Sequence, residues 1–483
     1  LAAAFALLPG EIVVAQASPW AEVGDNQLRA DIELLQSAGV LSTVTIHWPI
    51  PWQSLAAQLQ TAGLATRTPG VRRAAERVLA RARRESGDGH RLEAYADFTN
   101  KTSIVRGFDG MGRGDGQAQL SLSGSSGAFS GRLSVGAITN TFGGKPNKLM
   151  LDGTFGAVEF AGVRAYAGYL DHWWGPGEIS ALQLSNNARP MPQIGFERAS
   201  TQASSWPVLR WLGPWQLAFI VGKLDGPQIQ SNVYWNATHL TISPLPGLEL
   251  GIAKTEEFCG KGHPCAPLRD YFQNVDFSTH NNNVNGEGSF EFKYSRALLG
   301  VPFEVHMQMM NEDYSLANHS GTSHLVGASL FLPIASGSPL MLTSEYTDSI
   351  ATQTMLDFSN RIYGFTYNDY QYPDGMRYRG RTLGFSLDDD STLLSLQGSW
   401  TDEGGRFYEL SLHHATIGTP HTAPGANSLS PAPVKLNLAD FRISLPLGQR
   451  GIRLDLDGRL QDDQPRPHQG FAAAIETAIR VDL

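Results

Sequence analysis

No run of about 18 consecutive apolar residues occurs anywhere in the 483 residues, so a membrane-crossing helix is excluded. A membrane is not, because crossing strands of about 9–11 residues alternate apolar with polar positions and leave mean hydropathy ordinary. Charge is sparse at 17% and the net balance is −9, which gives nucleic acid no basic surface to bind. Cysteine is nearly absent. Cys259 and Cys265 are the only two, and six residues apart in an exported chain they read as one local disulfide, with free thiols or half a metal site as the other options. Against these shortages stand 51 glycines, and high glycine with low charge fits a large β-protein.

Residues 1–17, LAAAFALLPGEIVVAQA, are small and apolar and end in Ala15-Gln16-Ala17, the pattern of a cleaved secretory signal. We expect a signal remnant over 1–17, a helical bundle over 18–89 that plugs one mouth, and a β-barrel with long loops over 90–483. Leu28, Ile32 and Leu35 share one helical face, and Gly39 is a natural stop. A second helix opens at Pro51-Trp52 and carries Leu55 and Leu59. A third, about 69–85, puts Val71, Ala75, Val78 and Ala82 on one side and Arg72, Arg73, Arg77, Arg81, Arg83 and Arg84 on the other. The basic face is either solvated or paired with carboxylates of a barrel lumen.

After Gly87-Asp88-Gly89 the period falls from 3.6 to 2. Ile452, Leu454, Leu456 and Leu460 alternate with Arg453, Asp455, Asp457 and Arg459. Charges recurring on one face of successive strands suit a wet lumen, and a terminal amphipathic strand suits closure onto the first. Tight turns at 124–127, 213–214, 244–247, 334–339 and 446–450 fall at one end. Longer connections at 107–115, 141–147, 171–205, 224–236, 257–285, 349–359 and 416–434 fall at the other. The count is about twenty strands, with the pairs in 206–223 and 360–388 least defined. Segment 368–377 falls on the short-turn end although it is long.

Catalysis is not expected. There is no nucleophile elbow at a strand-to-helix turn. The histidines, among them His172, His263, His280, His306, His319 and His324, are scattered, and His413 and His414 face opposite sides of a strand. Asp388-Asp389-Asp390 reads as a polar turn without the spaced oxygens of a Ca²⁺ loop. No cofactor or metal is indicated.

Segment 166–192, YAGYLDHWWGPGEISALQLSNNARPMP, holds the side chains that sugar recognition uses. Trp173 and Trp174 can stack on a pyranose, while Asp171, Asn186, Asn187 and Arg189 hydrogen-bond hydroxyls or shape the loop. The other readings are an interfacial aromatic belt beside an irregular loop and, where strand pairing places the segment in the lumen, a structural plug that leaves ligand sites to other loops. Further clusters of suitable type are Trp235-Asn236, Tyr271 with Asn274 and Asp276, Asn281 to Asn283, and Tyr367 to Tyr372. Arg189, Arg198, Lys261 and Arg269 are available to an acidic polymer.

The motif D-x-W-W-G-P-G at 171–177, then L-S-N-N-A-R-P at 184–190, resembles the signature of the capsule assembly protein Wzi family. The opening SPWAEVGDNQLRADIELLQSAGV from Ser18, followed by WPIPW at 48–52, is similar to that family's start. The resemblance implies an outer-membrane antiparallel barrel of eighteen strands with a small helical bundle at its periplasmic end. It also implies a lectin-like role, attaching exported capsular or other polysaccharide to the cell surface. The partners so implied are that polymer, outer-membrane lipid and lipopolysaccharide, and the export machinery, with the protein as a monomer. A sugar-selective porin is the alternative reading of such a barrel.

Overall fold

The computed structural model describes residues 18–86, 90–139, 149–226, 228–265, 284–312, 321–448, 451–465 and 469–483. The expected signal remnant, the 141–147 loop, Arg269, His280, His319, and the clusters around Tyr271, Asn274, Asp276 and Asn281 to Asn283 lie outside these residues.

Three helices come first: α1 (Asn26–Ser37), α2 (Trp52–Thr61) and α3 (Pro69–Glu85). The Asp25 side chain accepts the Leu28 N–H and caps α1, satisfying one of the free donors of its first turn. Gly39, at φ +66°, ends it as expected, donating to Gln36 O at 2.8 Å. The apolar faces meet in one cluster of Leu28, Ile32, Leu35, Leu55, Leu59, Val71 and Val78.

From His90 onward the long strands build a closed antiparallel barrel. Its last strand, Ala472–Asp482, pairs with its first, His90–Thr99, so no edge is left open. Twenty segments ring the wall, but two pairs of them share a place. Leu149–Met150 and Phe155–Phe160 both pair with Phe129–Thr139. Arg361–Ile362 and Thr392–Thr401 both pair with Leu340–Thr352. The wall therefore has eighteen staves, not the twenty that alternation alone counts. In 206–223 only Trp215–Leu224 is a stave, and in 360–388 the hairpin Arg377–Tyr378/Arg381–Thr382 leaves the wall.

The two ends differ as expected. Turns at 127–128, 161–162, 246–247 and 299–300 lie at the end that carries the helices, and long excursions lie opposite. Two assignments change. Segment 171–205 contains the stave Gln193–Arg198, so it divides into a luminal stretch and a connection at the helical end. Segment 368–377 belongs to one long excursion, 353–391, at the loop end.

The wall is inside-out relative to a water-soluble protein. Phe98, Leu120, Leu122, Phe196, Leu396, Leu412 and Ile475 are exposed on the outside. Glu249, Glu291, Lys293, Glu304, Gln308, Glu345 and Arg459 are buried inside. Lipid solvates such an exterior, and every backbone group of a closed sheet pairs within it. The lumen is mostly filled with chain.

Candidate functional site

The filling is the motif itself. Trp173–Trp174 pairs antiparallel with His47–Trp48, and Gly175 N donates to Ile46 O at 3.0 Å. This two-residue ladder ties the luminal loop to the segment between α1 and α2. Both tryptophans are 0% exposed. The Trp173 ring lies 5.6 Å from Phe108 and 5.2 Å from the Arg29 guanidinium, and its indole N–H donates to Gly177 O at 3.1 Å. The Trp174 ring sits 5.5 Å from His47 and 4.7 Å from His239. Their faces are taken by protein, which matches the plug reading of the segment and leaves no exposed ring to stack on sugar. Sequence could not show this, because the partner His47–Trp48 lies far away in the chain.

The polar members of the motif likewise bond to protein. Asn186 Nδ2 donates to Phe108 O and Asp109 O at 3.0 and 2.7 Å. Asn187 Nδ2 donates to Thr382 O at 3.0 Å, which docks the luminal hairpin. Arg189 holds Asp152 through two bonds of 2.9 and 2.7 Å, and Arg113 reaches Asp171 at 2.7 Å. Burial pushes the Asp171 carboxyl up, against the pull of Arg113. Burial lowers His172 to about 4. It also lowers His47, with His239 and His172 adding to the effect.

The wall grips this plug through buried side chains that strand alternation points inward. The Glu345 carboxylate accepts the N–H groups of Glu178, Ile179 and Ser180 at 2.7, 3.2 and 2.7 Å. Gln308 accepts from Leu182 N and donates to Trp174 O, at 2.8 and 3.1 Å. From below, the i, i+4, i+7 polar stripe Arg29, Glu33 and Gln36 of α1 meets the plug and the wall. Arg29 pairs with Glu178 at 3.2 Å, Glu33 with Lys293, and Gln36 with Glu249. Three carboxylates, of Glu33, Glu178 and Glu304, converge within 4.8 Å, and the cations among them are Lys293 and Arg29. Of the α3 arginines, Arg77 pairs with Asp31 and Arg81 with Asp25 at 3.5 Å, while Arg72, Arg83 and Arg84 face solvent.

At the loop end the excursions are knitted into a cap. Arg377 donates to Tyr367 O, Asn368 Oδ1, Asp374 O and Ala426 O at 3.1, 2.9, 3.1 and 2.9 Å, and pairs with Asp388. Asp374 accepts Ile229 N at 2.7 Å, and Tyr372 OH donates to Cys259 O at 3.2 Å. Cys259 and Cys265 form the expected disulfide. The acidic run is a turn, as expected, and it is buried. Asp388 is held down by Arg377 against the cost of burial, and burial beside Asp390 and Asp388 lifts Asp389 to about 9.

Rings and hydrogen-bonding groups stand out of this cap. Tyr370 is 84% exposed beside Gln371. Phe358 lies 4.7 Å from His324, and Tyr363 lies 4.8 Å from His421. Of the Tyr367–Tyr372 cluster, Tyr367 and Tyr372 are buried supports. Trp235 and Asn236 are buried in the wall, not external. Of the candidate cations, Lys261 is exposed at the loop end. Arg189 is luminal, and Arg198 lies at the helical end.

Comparison with known proteins agrees with this architecture. A solved Escherichia coli outer-membrane protein, Wzi, described as a carbohydrate-binding β-barrel involved in group 1 capsule assembly, superposes with a TM-score of 0.83 at 22% identity. The match covers 96% of this chain and 100% of that one. An uncharacterized 55.8 kDa protein in the cps region of Klebsiella pneumoniae is 28% identical over 326 residues, 64% of this chain. The matched region spans 60% of that relative's length. The family model of capsule assembly protein Wzi matches residues 92–461, and the chain belongs to that family.

Proposed function

We propose that the protein is an outer-membrane lectin-like barrel that binds exported polysaccharide, capsular or other, and holds it at the cell surface without chemistry. The helical end faces the periplasm and the loop end faces outward. The observation that carries this reading is the plug. A lumen filled by 171–192 and gripped by Glu345, Gln308 and α1 leaves the outer cap as the working surface. Exposed rings suit the apolar faces of sugars, and the surrounding amides and carboxylates suit their hydroxyls. One long polymer meeting many weak contacts binds through multivalency, so no deep pocket is needed. The protein works as a monomer in lipid, beside the machinery that exports the polymer.

The test is retention of the cell's own surface polysaccharide by the purified protein in affinity electrophoresis. A variant carrying Phe358→Ala and Tyr370→Ala is expected to retain it less, with the barrel still heat-modifiable. Equal retention would remove the cap from the account. One observation favours the porin reading. A cavity of about 210 Å³ remains between plug and wall, lined from Arg91 and Glu22 up to Arg113, Asp152 and Asp171. Conductance of the intact protein decides between the two.

A further inference from the structure

The connection 199–214 does more than join two staves. Alternation along Gln193–Arg198 turns Ile194 and Phe196 outward, and it turns Arg198 the same way. A guanidinium on the outer wall is costly against lipid, yet Arg198 is buried there. It lies 4.3 Å over the Trp215 ring and donates to Trp215 O at 2.9 Å and to Ser200 O. Thr201 N donates to Ser54 Oγ at 2.9 Å, its hydroxyl meets that of Thr43, and Trp215 N donates to its carbonyl at 3.0 Å, so the connection leaves and rejoins the wall at the helical end.

Two features fit this stretch to a bilayer surface. Its backbone closes on itself: Leu209 N and Arg210 N donate to Trp206 O, Leu212 N to Leu209 O, and Gly213 N to Arg210 O, at 3.0–3.2 Å. A segment at the edge of hydrocarbon needs such internal partners. Gly213, at φ +65°, presses it to the wall, since a Cβ there would lie 1.9 Å from Ser243 O. What it presents outward is Trp206, Val208 and Trp211, 46%, 59% and 67% exposed, with Arg210 among them. In the chain this patch directly follows the stave whose Ile194 and Phe196 are exposed on the outside.

We infer that residues 202–213 form a lipid-binding ledge at the helical end, with Trp206 and Trp211 seated at the headgroup level and Arg210 directed to phosphate. Tryptophan prefers that level, and an arginine nearby can reach the anionic groups. The ledge would fix the height of the barrel in the bilayer. The inference rests on the reading of the barrel as lipid-immersed.

The test is nitroxide accessibility of the full chain in phosphatidylethanolamine–phosphatidylglycerol vesicles. Labels go on Val208→Cys, on Leu120→Cys in the apolar band, and on Ala80→Cys on the exposed face of α3. The native cysteines are paired and do not label. The Val208 label should show an oxygen-to-nickel-chelate collision ratio several-fold above that of Ala80 and below that of Leu120. Adding Trp206→Ala with Trp211→Ala, or Gly213→Ala, should move it toward the Ala80 value. A Val208 label as wet as Ala80, or spin–spin broadening from a second copy, would overturn the ledge. A wet Leu120 label would instead overturn the lipid-immersed reading beneath it.

Discussion

Glu345 offers the sharpest test of how the plug is held. Its carboxylate is buried and accepts three consecutive backbone N–H groups of the luminal loop, with His306 Nε2 at 3.3 Å. Glu345→Ala strands those three donors away from water. A buried donor left unsatisfied costs about 1–3 kcal/mol. The three sit side by side and relax together, so the sum falls short of additive, at about 4 kcal/mol. Because each 1.4 kcal/mol is tenfold, amide exchange over 178–182 should quicken by about a thousandfold. Glu345→Gln keeps one acceptor oxygen and should give a smaller rise, about tenfold to thirtyfold. Hydrogen-exchange mass spectrometry of the protein in detergent reads both. The loss should be local, because Leu340–Thr352 keeps its ladder bonds to both neighbours. Unchanged exchange at 178–182 would refute the anchoring role. A rise spread equally through the staves would show that Glu345 supports the wall, not the plug.

Further outcomes follow from neighbouring contacts. Lys293→Met leaves Glu33 and Glu304 buried without their shared ammonium. It should cost about 3–5 kcal/mol and lower the temperature at which the barrel loses its folded electrophoretic mobility, with Glu33→Leu restoring part of the loss. His47 and His172 hold pKa values below the 6.5 of free imidazole, His172 near 4. The opened state therefore binds protons first as pH falls. Stability of the Trp174 stack should be lost from about pH 6.5 down to about 4, seen as rising exchange at 173–175 and abolished by His47→Gln with His172→Gln. Asp389 runs the other way. Its carboxyl is raised to about 9, so the cap should loosen as pH climbs from about 4 toward 9. Limited proteolysis of 353–391 should follow that rise in wild type and not in Asp389→Asn. Arg377→Ala unties four backbone or side-chain acceptors and Asp388. It should abolish polysaccharide retention while leaving exchange in the staves unchanged.

The helices, the change of period at residue 90 and the closing of the last strand on the first are legible because each is a local pattern. Strand number is less so. Alternation cannot tell a stave from the hairpin Arg377–Tyr378/Arg381–Thr382, which has the residues of a strand but pairs only with itself. Nor does it reveal that Ile194 and Phe196 in a polar stretch belong to a stave, until Ala165 and Ala167 pair beside them. The motif at 171–192 could be read as important, but its sequence leaves luminal and external placement equally open. Trp173 and Trp174 carry the same residue types whether they face sugar or Trp48 and Phe108, and only long-range pairing decides. The buried stripe of α1 is hidden for a related reason, since Arg29 finds its partner on the luminal loop and Glu33 and Gln36 find theirs on the barrel wall.

The account stands on a barrel closed by its own chain, and planar-bilayer conductance of the purified full-length protein tests that directly. The prediction is silence, with at most brief small openings through the residual cavity. A version lacking residues 26–86 should leak, yet well below an open eighteen-stave pore, because 171–192 still occupies the lumen. Large, stable channels from the intact protein would contradict the account and make the Trp173–Arg189 stretch the constriction of a porin.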